Sequence, residues 1–524
     1  MLTLSPTAMS TSSGPSSTAG APGWISALLH TGDPTLADSV ALTTPGPTGW
    51  RELTYAGLDR SSAVVAGWLG RRGVAAGQRV LLHGDPSGAW VSACLGILRA
   101  GAIAVPLDPR LTADELASAA AGSSPAAAVV AGRLRPMHDG LDLEMDVLDL
   151  DDIDGLAESR PGEAVRPGPI RSMDDPALIV WTSGTTGRPK GVTLTYANLA
   201  YAVSRSVQVQ DLDGDDRWLS VLPLNHLLEL TCGLLGSLST GATLTFCPTL
   251  MPREITELLA ERRITRMMVV PLLARLLQPE LERRRPGHLR ALFAGGAPLA
   301  PELIDAYAGL GIPLYQGYGL TETAPTVAMN TPDHHRRGSV GRPLPGTEVR
   351  IDHDEILVRS PAVMAGYWDD EDLTRESLDG DGWFRTGDLG HVDPDGFLFV
   401  TGRAKHLIVL ESGKKVQPEE VEAVLQGSER FADVCVVGVA ATSGGSAGPE
   451  QVCAVVIPRQ PMSGPEVEVE VARLSGRLSG YKRPRLVDVW DVDTVLPTTA
   501  KRSVRRAEVA RLAVDRLRRR RTTP

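Results

Sequence analysis

An alternation of strand and helix patterns near the amino terminus constrains the fold of this chain more than any other feature. An apolar run at residues 79–82 is followed by a helical pattern at residues 90–99 and a second apolar run at residues 102–105. Two strands joined by a helix form a βαβ unit, which favours a parallel sheet covered by helices. Apolar runs at residues 177–181 and 292–294 begin similar alternations. The sequence therefore predicts an α/β fold.

The texture of the sequence changes between residues 348 and 400, where short β-type runs are broken by Gly, Pro and Asp. This texture predicts a β-rich lobe, and the mixed strand and helix patterns that follow predict a small α+β domain. The predicted organisation is a disordered leader at residues 1–23, a large N-terminal domain at residues 24–402 with its β-rich lobe at about 340–402, a C-terminal domain at residues 403–510, and a basic tail at residues 511–524.

Charge and cysteine content exclude several classes of protein. The formal net charge of −10 gives no overall attraction to nucleic acid or to an anionic membrane. The five cysteines are scattered, so no zinc site is indicated and a reducing compartment fits best. No apolar run approaches the length of a membrane helix. We therefore expect a cytoplasmic monomer or homodimer without a nucleic-acid partner or stable membrane insertion.

The strongest chemical signal is the run Trp-Thr-Ser-Gly-Thr-Thr-Gly-Arg-Pro-Lys-Gly at residues 181–191. Its glycines allow the backbone to approach an anion, its hydroxyls are short donors, and Lys190 adds a mobile positive charge. The run is not the P-loop of ordinary ATPases, because Pro189 precedes the lysine and Gly191 follows it. Composition alone would also allow a polar surface loop. We interpret the run as a triphosphate cradle formed by Thr182, Ser183, Gly184, Thr185, Thr186, Gly187 and Lys190.

The run closely resembles the signature loop of the AMP-forming superfamily of acyl-CoA synthetases, luciferases and peptide-synthetase adenylation domains. Five further segments occur in the order of that superfamily, at residues 222–226, 295–298, 318–323, 382–389 and 401–405. The texture is nearest to the fatty acyl-CoA synthetases. The resemblance implies a large N-terminal portion of stacked α/β subdomains plus a β-barrel-like lobe, with a small mobile α+β C-terminal domain that rotates between half-reactions.

The resemblance assigns roles to individual residues. It implies adenine contacts at Gly295, Gly296, Ala297, Pro298, Tyr318 and Gly319, and an acid pocket that includes His226 and Gly319. Thr321 is expected to bond a phosphate oxygen, and Glu322 to bind Mg²⁺, which prefers oxygen ligands shared with phosphates. Asp388 is expected to accept both ribose hydroxyls, since two acceptor oxygens suit a vicinal diol. Arg403 is expected near the nucleotide, and Lys405 is the expected pivot of the hinge.

The implied reaction is attack by a fatty or aryl carboxylic acid on the α-phosphorus of MgATP, with release of pyrophosphate and transfer of the acyl group to coenzyme A. Positioning and charge neutralisation carry such a displacement. The expected cofactors are ATP, Mg²⁺ and coenzyme A, and the expected catalytic residues are Lys190, Thr321, Glu322 and Lys501. Two alternatives stay open. One is an adenylating enzyme that serves an acyl carrier protein, or that activates another oxyanion such as nitrite for an amine acceptor. The other is a non-catalytic homologue that binds a nucleotide or acyl-AMP.

Two positions depart from the pattern of the superfamily. Its C-terminal lysine stands in a Pro-x-Thr-x-x-Gly-Lys pattern, but a gapless match places Ser503 there and Lys501 two residues earlier. A loop can slide by two residues, so Lys501 is expected to reach the α-phosphate. The second departure is His406 in the hinge segment, where Asp or Asn is usual.

Overall fold

The computed structural model describes residues 21–46, 49–141, 145–159, 172–183, 189–412, 414–440, 450–498 and 504–522. These residues form two compact units. The first unit comprises the chain up to residue 337 together with residues 341–347 and 359–379. The second comprises residues 338–340 and 348–358 and the chain from residue 380 onwards. Within this described part of the chain, no helix is both long and apolar enough to cross a membrane.

The strands of the first half of the chain are β1 (Val40–Gly46), β2 (Gly49–Thr54), β3 (Arg79–His83), β4 (Ile103–Leu107), β5 (Ala127–Val130), β6 (Asp146–Asp149), β7 (Pro176–Ser183), β8 (Pro189–Thr195), β9 (Arg217–Ser220), β10 (Thr243–Phe246) and β11 (Arg266–Val269). The later strands are β12 (Ala291–Ala294), β13 (Leu314–Tyr318), β14 (Ala328–Met329), β15 (Arg342–Pro343), β16 (Glu348–Asp352), β17 (Glu355–Arg359), β18 (Gly366–Tyr367), β19 (Phe384–Val392), β20 (Leu398–Arg403), β21 (Ile408–Val409), β22 (Lys415–Val416), β23 (Phe431–Ala440), β24 (Glu450–Pro458) and β25 (Leu486–Val489).

The α-helices are α1 (Ala21–Leu28), α2 (Tyr55–Arg71), α3 (Gly88–Arg99), α4 (Ala113–Ser123), α5 (Arg135–Asp139), α6 (Ile153–Ser159), α7 (Tyr196–Gln210), α8 (Gly236–Thr240), α9 (Pro252–Glu261), α10 (Pro271–Arg283), α11 (Pro301–Gly309), α12 (Glu371–Ser377), α13 (Pro418–Leu425), α14 (Gly464–Ser475) and α15 (Arg506–Thr522). A π-helix spans Leu228–Leu235, and short 3₁₀ turns lie at Gly132–Leu134, Leu150–Asp152, Thr321–Thr323, Ala404–His406 and Gly480–Lys482.

Two sheets organise the first unit. The larger sheet has nine strands in the order β15-β14-β13-β12-β11-β9-β10-β1-β2, and it is parallel from β13 to β1. The second sheet has seven strands in the order β18-β8-β7-β4-β3-β5-β6, and it is parallel from β7 to β6. The predicted α/β fold is therefore confirmed.

The βαβ unit predicted near the amino terminus is present as β3, α3 and β4. Ser87 caps α3, because its hydroxyl accepts a hydrogen bond from the backbone N–H of Trp90 at 3.2 Å. Gly96 faces α2, where a β-carbon would lie 2.5 Å from the β-carbon of Val65. A side chain at residue 96 would push the two helices apart, so this glycine permits their close packing.

The described residues of the second unit form three separate sheets. The predicted β-rich lobe is a four-stranded sheet in the order β16-β17-β19-β20, in which β19 pairs antiparallel with β17 and with β20. Among the described residues β16 and β20 are edge strands, so this sheet is open and is not a closed barrel. The other sheets are the β21-β22 pair and the order β23-β24-β25, and Val421, Val436 and Val471 lie in one buried core there. The predicted boundary between residues 402 and 403 stays a prediction.

Both ends of the chain differ from the expectation. Residues 21–23, predicted as part of the leader, begin α1, and residues 1–20 lie outside the described residues. The predicted basic tail from residue 511 is not separate, because it continues α15. Val509 and Ala513 of this helix are fully buried in one apolar cluster with residues of β23 and β24. Residues four apart lie on one helical face, so an apolar stripe docks the arginine-rich helix.

Candidate active site

The two ends of the run at residues 181–191, the predicted triphosphate cradle, lie on paired strands. β7 and β8 pair antiparallel as the arms of a β-hairpin, with Thr182 opposite Lys190. Strand β8 was not predicted from the sequence. The Thr182 hydroxyl donates a long hydrogen bond of 3.5 Å to the Lys190 carbonyl oxygen. Gly184, Thr185, Thr186, Gly187 and the side chain of Ser183 lie outside the described residues. Of the residues in the predicted cradle, Thr182 and Lys190 are therefore the two whose side chains the structure describes.

Lys190 and Glu322 both contact Tyr367. The Lys190 ammonium lies over the aromatic ring, 5.0 Å from its centroid. The Tyr367 hydroxyl donates a hydrogen bond of 3.0 Å to Oε1 of Glu322. Burial raises the pKa of Tyr367, and the nearby Glu322 carboxylate raises it further, so the phenol stays protonated and donates. Tyr367 was not among the predicted site residues.

A two-residue strand brings Tyr367 to this place. β18 pairs antiparallel with β8, with Tyr367 opposite Val192. The next backbone N–H, that of Trp368, donates to the carbonyl oxygen of Gly191 at 2.6 Å. A β-carbon on Gly191 would lie 3.1 Å from the β-carbon of Trp368, so glycine lets the two strands approach closely at the end of the phosphate run.

The predicted adenine turn lies at the carboxyl end of parallel strands. β12 and β13 pair in parallel, so Gly295, which follows β12, and Tyr318, which ends β13, lie at the same edge of the sheet. Ligands of open α/β sheets bind at that edge. Gly296 has a φ of +83°, which glycine adopts without strain. Gly295 is buried, whereas Gly296, Ala297 and Pro298 are exposed.

Main-chain atoms pack so closely against Gly319 that they leave no room for a side chain. A β-carbon at residue 319 would lie 1.8 Å from the carbonyl oxygen of Pro325, so only glycine fits. The 3₁₀ turn Thr321–Thr323 follows, and it leaves Thr321 and Glu322 half-buried. The turn thus holds two predicted ligand groups on adjacent residues: the Thr321 hydroxyl, predicted to bond a phosphate oxygen, and the Glu322 carboxylate, predicted to bind magnesium.

His226, predicted in the acid pocket, lies half-buried between β9 and the π-helix. It interacts electrostatically with Asp108, a buried residue just after β4 that was not predicted. Although burial opposes the effect, hydrogen bonds from Arg110 hold the pKa of Asp108 below its usual value, and His226 adds to the lowering. Leu228, at the start of the π-helix, lies 3.3 Å from the position that a β-carbon of Gly295 would take. The segment after His226 therefore packs against the predicted adenine turn.

Asp388 and Arg403 are brought together in the second unit. They lie opposite each other in the β19-β20 pair, and Arg403 Nε lies 2.7 Å from Asp388 Oδ1. Asp388 is buried, whereas Arg403 is nearly half exposed. The guanidinium holds the carboxylate that is predicted to accept the ribose hydroxyls. The predicted pivot Lys405 lies in the 3₁₀ turn that follows β20.

His406, the second departure, joins the 3₁₀ turn of the predicted hinge to a half-buried cluster of charged side chains. Its Nδ1 lies 3.0 Å from Oε1 of Glu419 on α13, and the same oxygen lies 3.3 Å from Arg506 at the start of α15. Arg506 also pairs with Glu422. Lys501 and Ser503 lie outside the described residues, but Thr498 and Val504 form an antiparallel bridge on either side of them.

The residues around Glu322 suit a magnesium ion. No group of three or more His, Cys, Asp or Glu side chains in the described part of the chain is arranged for a metal. The Tyr367 hydroxyl engages Oε1 of Glu322, and Oε2 accepts no hydrogen bond from any described residue. One partly exposed carboxylate is the kind of protein ligand with which Mg²⁺ is held together with substrate phosphates.

Comparison with known proteins agrees with this arrangement. The model of the AMP-binding enzyme family matches residues 33–368. The chain belongs to the AMP-binding enzyme family. The predicted superfamily is thereby confirmed, and the matched residues include both arms of the hairpin, the adenine turn, Glu322 and Tyr367.

Three proteins illustrate what this AMP-binding enzyme is similar to. A feruloyl-CoA synthase of Amycolatopsis is 34% identical over 88% of the chain and 94% of its own length. The long-chain-fatty-acid–CoA ligase FadD13 of Mycobacterium tuberculosis is 31% identical over 83% of the chain and 88% of its own length. The o-succinylbenzoate coenzyme A synthetase of Bacillus subtilis, solved with ATP and magnesium, is 26% identical with a TM-score of 0.80, over 93% and 98% of the two chains.

Proposed function

We propose that this chain is an AMP-forming ligase that joins an aryl or fatty carboxylic acid to coenzyme A. In the first step an oxygen of the acid attacks the α-phosphorus of ATP, the bond from that phosphorus to pyrophosphate breaks, and acyl-AMP forms. In the second step the thiol sulfur attacks the acyl carbon, AMP leaves, and the thiol proton passes to solvent. The predicted enzyme class, an acid–CoA ligase that uses ATP, Mg²⁺ and coenzyme A, is confirmed by the family and the relatives.

The convergence of Lys190 and Glu322 on Tyr367 is the observation that carries the proposal. The Lys190 ammonium, which can bind phosphate oxygens, lies over the ring of Tyr367. The Glu322 carboxylate, which can bind the metal of those phosphates, lies at its hydroxyl. Magnesium, when bound, neutralises charge on the phosphates. A homologue that only binds a nucleotide has no need of the magnesium carboxylate, so this arrangement favours catalysis.

We assign the remaining roles as the resemblance to the superfamily implies them. Thr321 bonds a phosphate oxygen, Asp388 receives the ribose with Arg403 beside it, and Lys501 is delivered to the α-phosphate. The phosphate cradle consists of Thr182, Ser183, Gly184, Thr185, Thr186, Gly187 and Lys190. The adenine and acid contacts consist of Gly295, Gly296, Ala297, Pro298, Tyr318, Gly319 and His226.

The acid and the acceptor define the finer part of the proposal. One relative is named for an aryl acid and another for a long-chain fatty acid, so both classes are substrates to test. Coenzyme A is the proposed acceptor, and an acyl carrier protein or an amine is the alternative. We propose that the enzyme works in the cytoplasm on a small-molecule acid.

The test is exchange of labelled pyrophosphate into ATP by the full chain, with a panel of aryl and long-chain fatty acids. An acid that supports exchange should form a thioester when coenzyme A is added. Glu322→Gln should slow exchange by roughly 10²-fold, because an amide is a poorer metal ligand than a carboxylate. Glu302→Gln, which removes an exposed carboxylate of α11, should leave the rate unchanged.

Two outcomes would contradict the proposal. ADP and phosphate as products would exclude an adenylate intermediate. Exchange without any thioester, in the presence of coenzyme A, would move the chain to the class of enzymes that serve a carrier protein or an amine.

A further inference from the structure

We propose that Tyr367 is a positioning residue of the adenylation step, because its ring holds the Lys190 ammonium and its hydroxyl holds the Glu322 carboxylate. The inference rests on the proposed function, since it takes Lys190 and Glu322 as the groups that meet MgATP. A buried tyrosine can simply fill space in a core. Here the side chain is only 7% exposed, yet both its face and its hydroxyl contact charged groups of the site.

Backbone hydrogen bonds join the segment around Tyr367 to the neighbourhoods of both Lys190 and Glu322. The N–H of Trp368 donates to the carbonyl oxygen of Gly191, one residue after Lys190, at 2.6 Å. On the other side, the N–H of Met364 donates to the carbonyl oxygen of Glu322 at 2.9 Å. Residues 364–368 therefore connect the exit of the phosphate hairpin to the magnesium carboxylate, and Tyr367 makes the same connection through its side chain.

The neutral character of Tyr367 explains why it suits this place. An acidic residue there would form an ion pair with Lys190 and compete with phosphate for the ammonium. An aromatic face attracts the cation without accepting its N–H bonds in full, so the donors stay available. A phenol that donates to Glu322 orients the carboxylate and leaves its negative charge for the metal.

Two substitutions separate the two contacts. Tyr367→Phe keeps the ring over Lys190 and removes the hydrogen bond to Glu322. Tyr367→Leu removes both contacts. Tyr201 offers matched controls in the same unit, because Arg205 lies 5.3 Å from its ring centroid and its hydroxyl donates to the Pro345 carbonyl oxygen at 2.6 Å.

The measurement is binding of ATP to the full chain by titration calorimetry, first in EDTA and then across a series of Mg²⁺ concentrations. Tyr367→Phe should bind metal-free ATP as the unsubstituted protein does, but should lose about 10-fold of the affinity that Mg²⁺ adds. Tyr367→Leu should lose about 10-fold in metal-free ATP affinity as well. Tyr201→Phe and Tyr201→Leu should match the unsubstituted protein under both conditions.

The outcomes distinguish the positioning role from the proposed function. If Tyr367→Phe keeps the full Mg²⁺ enhancement, the positioning role is wrong, whatever the behaviour of the leucine variant. Circular dichroism shows whether the leucine variant folds, and the phenylalanine variant tests the hydroxyl contact even if it does not. If the calorimetric pattern is as expected but no acid supports pyrophosphate exchange, the proposed ligase is wrong and the nucleotide site stands.

Discussion

Two clusters of charged side chains, one in each unit, are held by different kinds of partner. In the first unit, the contacts that the described residues offer Lys190 and Glu322 are an aromatic ring and a hydroxyl. In the second unit, Arg506 contacts Glu419 and Glu422, and His406 contacts the first of these carboxylates. The charges of Lys190 and Glu322 therefore have neutral partners, whereas Arg506 and its two carboxylates have partners of opposite charge.

We interpret this as a difference between charges proposed to bind MgATP and charges that hold the fold. A neutral partner orients a charge and leaves it available to a phosphate or a metal. Opposite charges that are withdrawn from water satisfy each other, and removal of one leaves the other without compensation. We therefore expect substitutions in the first cluster to alter nucleotide binding, and substitutions in the second to alter stability and the movement of the hinge.

The largest expected effect is on the second cluster. Arg506→Ala should destabilise the second unit by about 3–5 kcal/mol, because it leaves two partly buried carboxylates without their cation. The side chain of Arg506 is only 14% exposed. Thermal unfolding should shift downward by roughly 10 °C, and protease sensitivity should rise within residues 403–522.

Arg511→Ala is the matched control for this substitution. It lies in the same helix, is 64% exposed, and its nitrogen is 3.9 Å from Asp515. An exposed pair of this kind contributes about 0.5 kcal/mol or less. Equal shifts for both variants would contradict the architectural role of the second cluster.

A substitution of the predicted catalytic lysine should act on rate alone. Lys501→Ala should slow adenylation by about 10²–10³-fold, the scale expected when one preorganised charge-stabilising donor is lost. Thioester formation from preformed acyl-AMP should be nearly unchanged, and so should thermal unfolding. The two half-reactions are measured separately by pyrophosphate exchange and by release of AMP.

Ser503 tests whether the family position is vacant. Ser503→Ala should have little effect, because a neutral hydroxyl stabilises developing negative charge poorly. If Lys501→Ala leaves adenylation intact, Lys501 does not replace the usual lysine. A large gain from Ser503→Lys would then show that the usual position is correctly placed but lacks its charge.

The smallest expected effect concerns His406. His406→Asn removes one contact of Glu419 and should lower the unfolding temperature by roughly 2–4 °C, equivalent to about 1 kcal/mol. His353→Asn is the control, because its imidazole is 97% exposed beside Asp352. Equal shifts would mean that His406 does not tie the 3₁₀ turn of the predicted hinge to α13.

The same pair predicts a dependence on pH. Burial raises the pKa of Glu419, but the hydrogen bond from His406 and the charge of Arg506 outweigh it and hold the pKa below the usual 4.5. Below pH 4.5 the unfolded chain takes up a proton that the folded chain does not, so falling pH favours unfolding. Without His406 the folded pKa rises. Stabilisation by Glu419 is then smaller, and acid unfolding of His406→Asn should begin at a higher pH.

Local patterns in the sequence predicted the fold class and several of its elements. Strand and helix periodicity near residue 80 is set by neighbouring residues, and β3, α3 and β4 follow it. The tail shows where composition misled, because the arginines of residues 518–521 concealed the apolar spacing of Val509 and Ala513. That spacing of four residues was a signal for a docked helix.

Motifs in the sequence nominated individual site residues, but they did not predict the contacts between motifs. Asp388 and Arg403 face each other because a hairpin fixes their register, which the separate motifs do not reveal. Tyr367 lies 45 residues from Glu322 along the chain and meets it through a strand of two residues. Such a short strand has no period to detect, so only the tertiary structure identifies this contact.

Gly319 has a consequence for anyone who redesigns the substrate range of this enzyme. Its missing β-carbon would stand 1.8 Å from a main-chain oxygen, so every replacement requires the backbone at Pro325 to move. A library that randomises residue 319 would contain mostly damaged proteins. Diversity is better introduced at Leu228, because a side chain and not main chain is what meets the predicted adenine turn there.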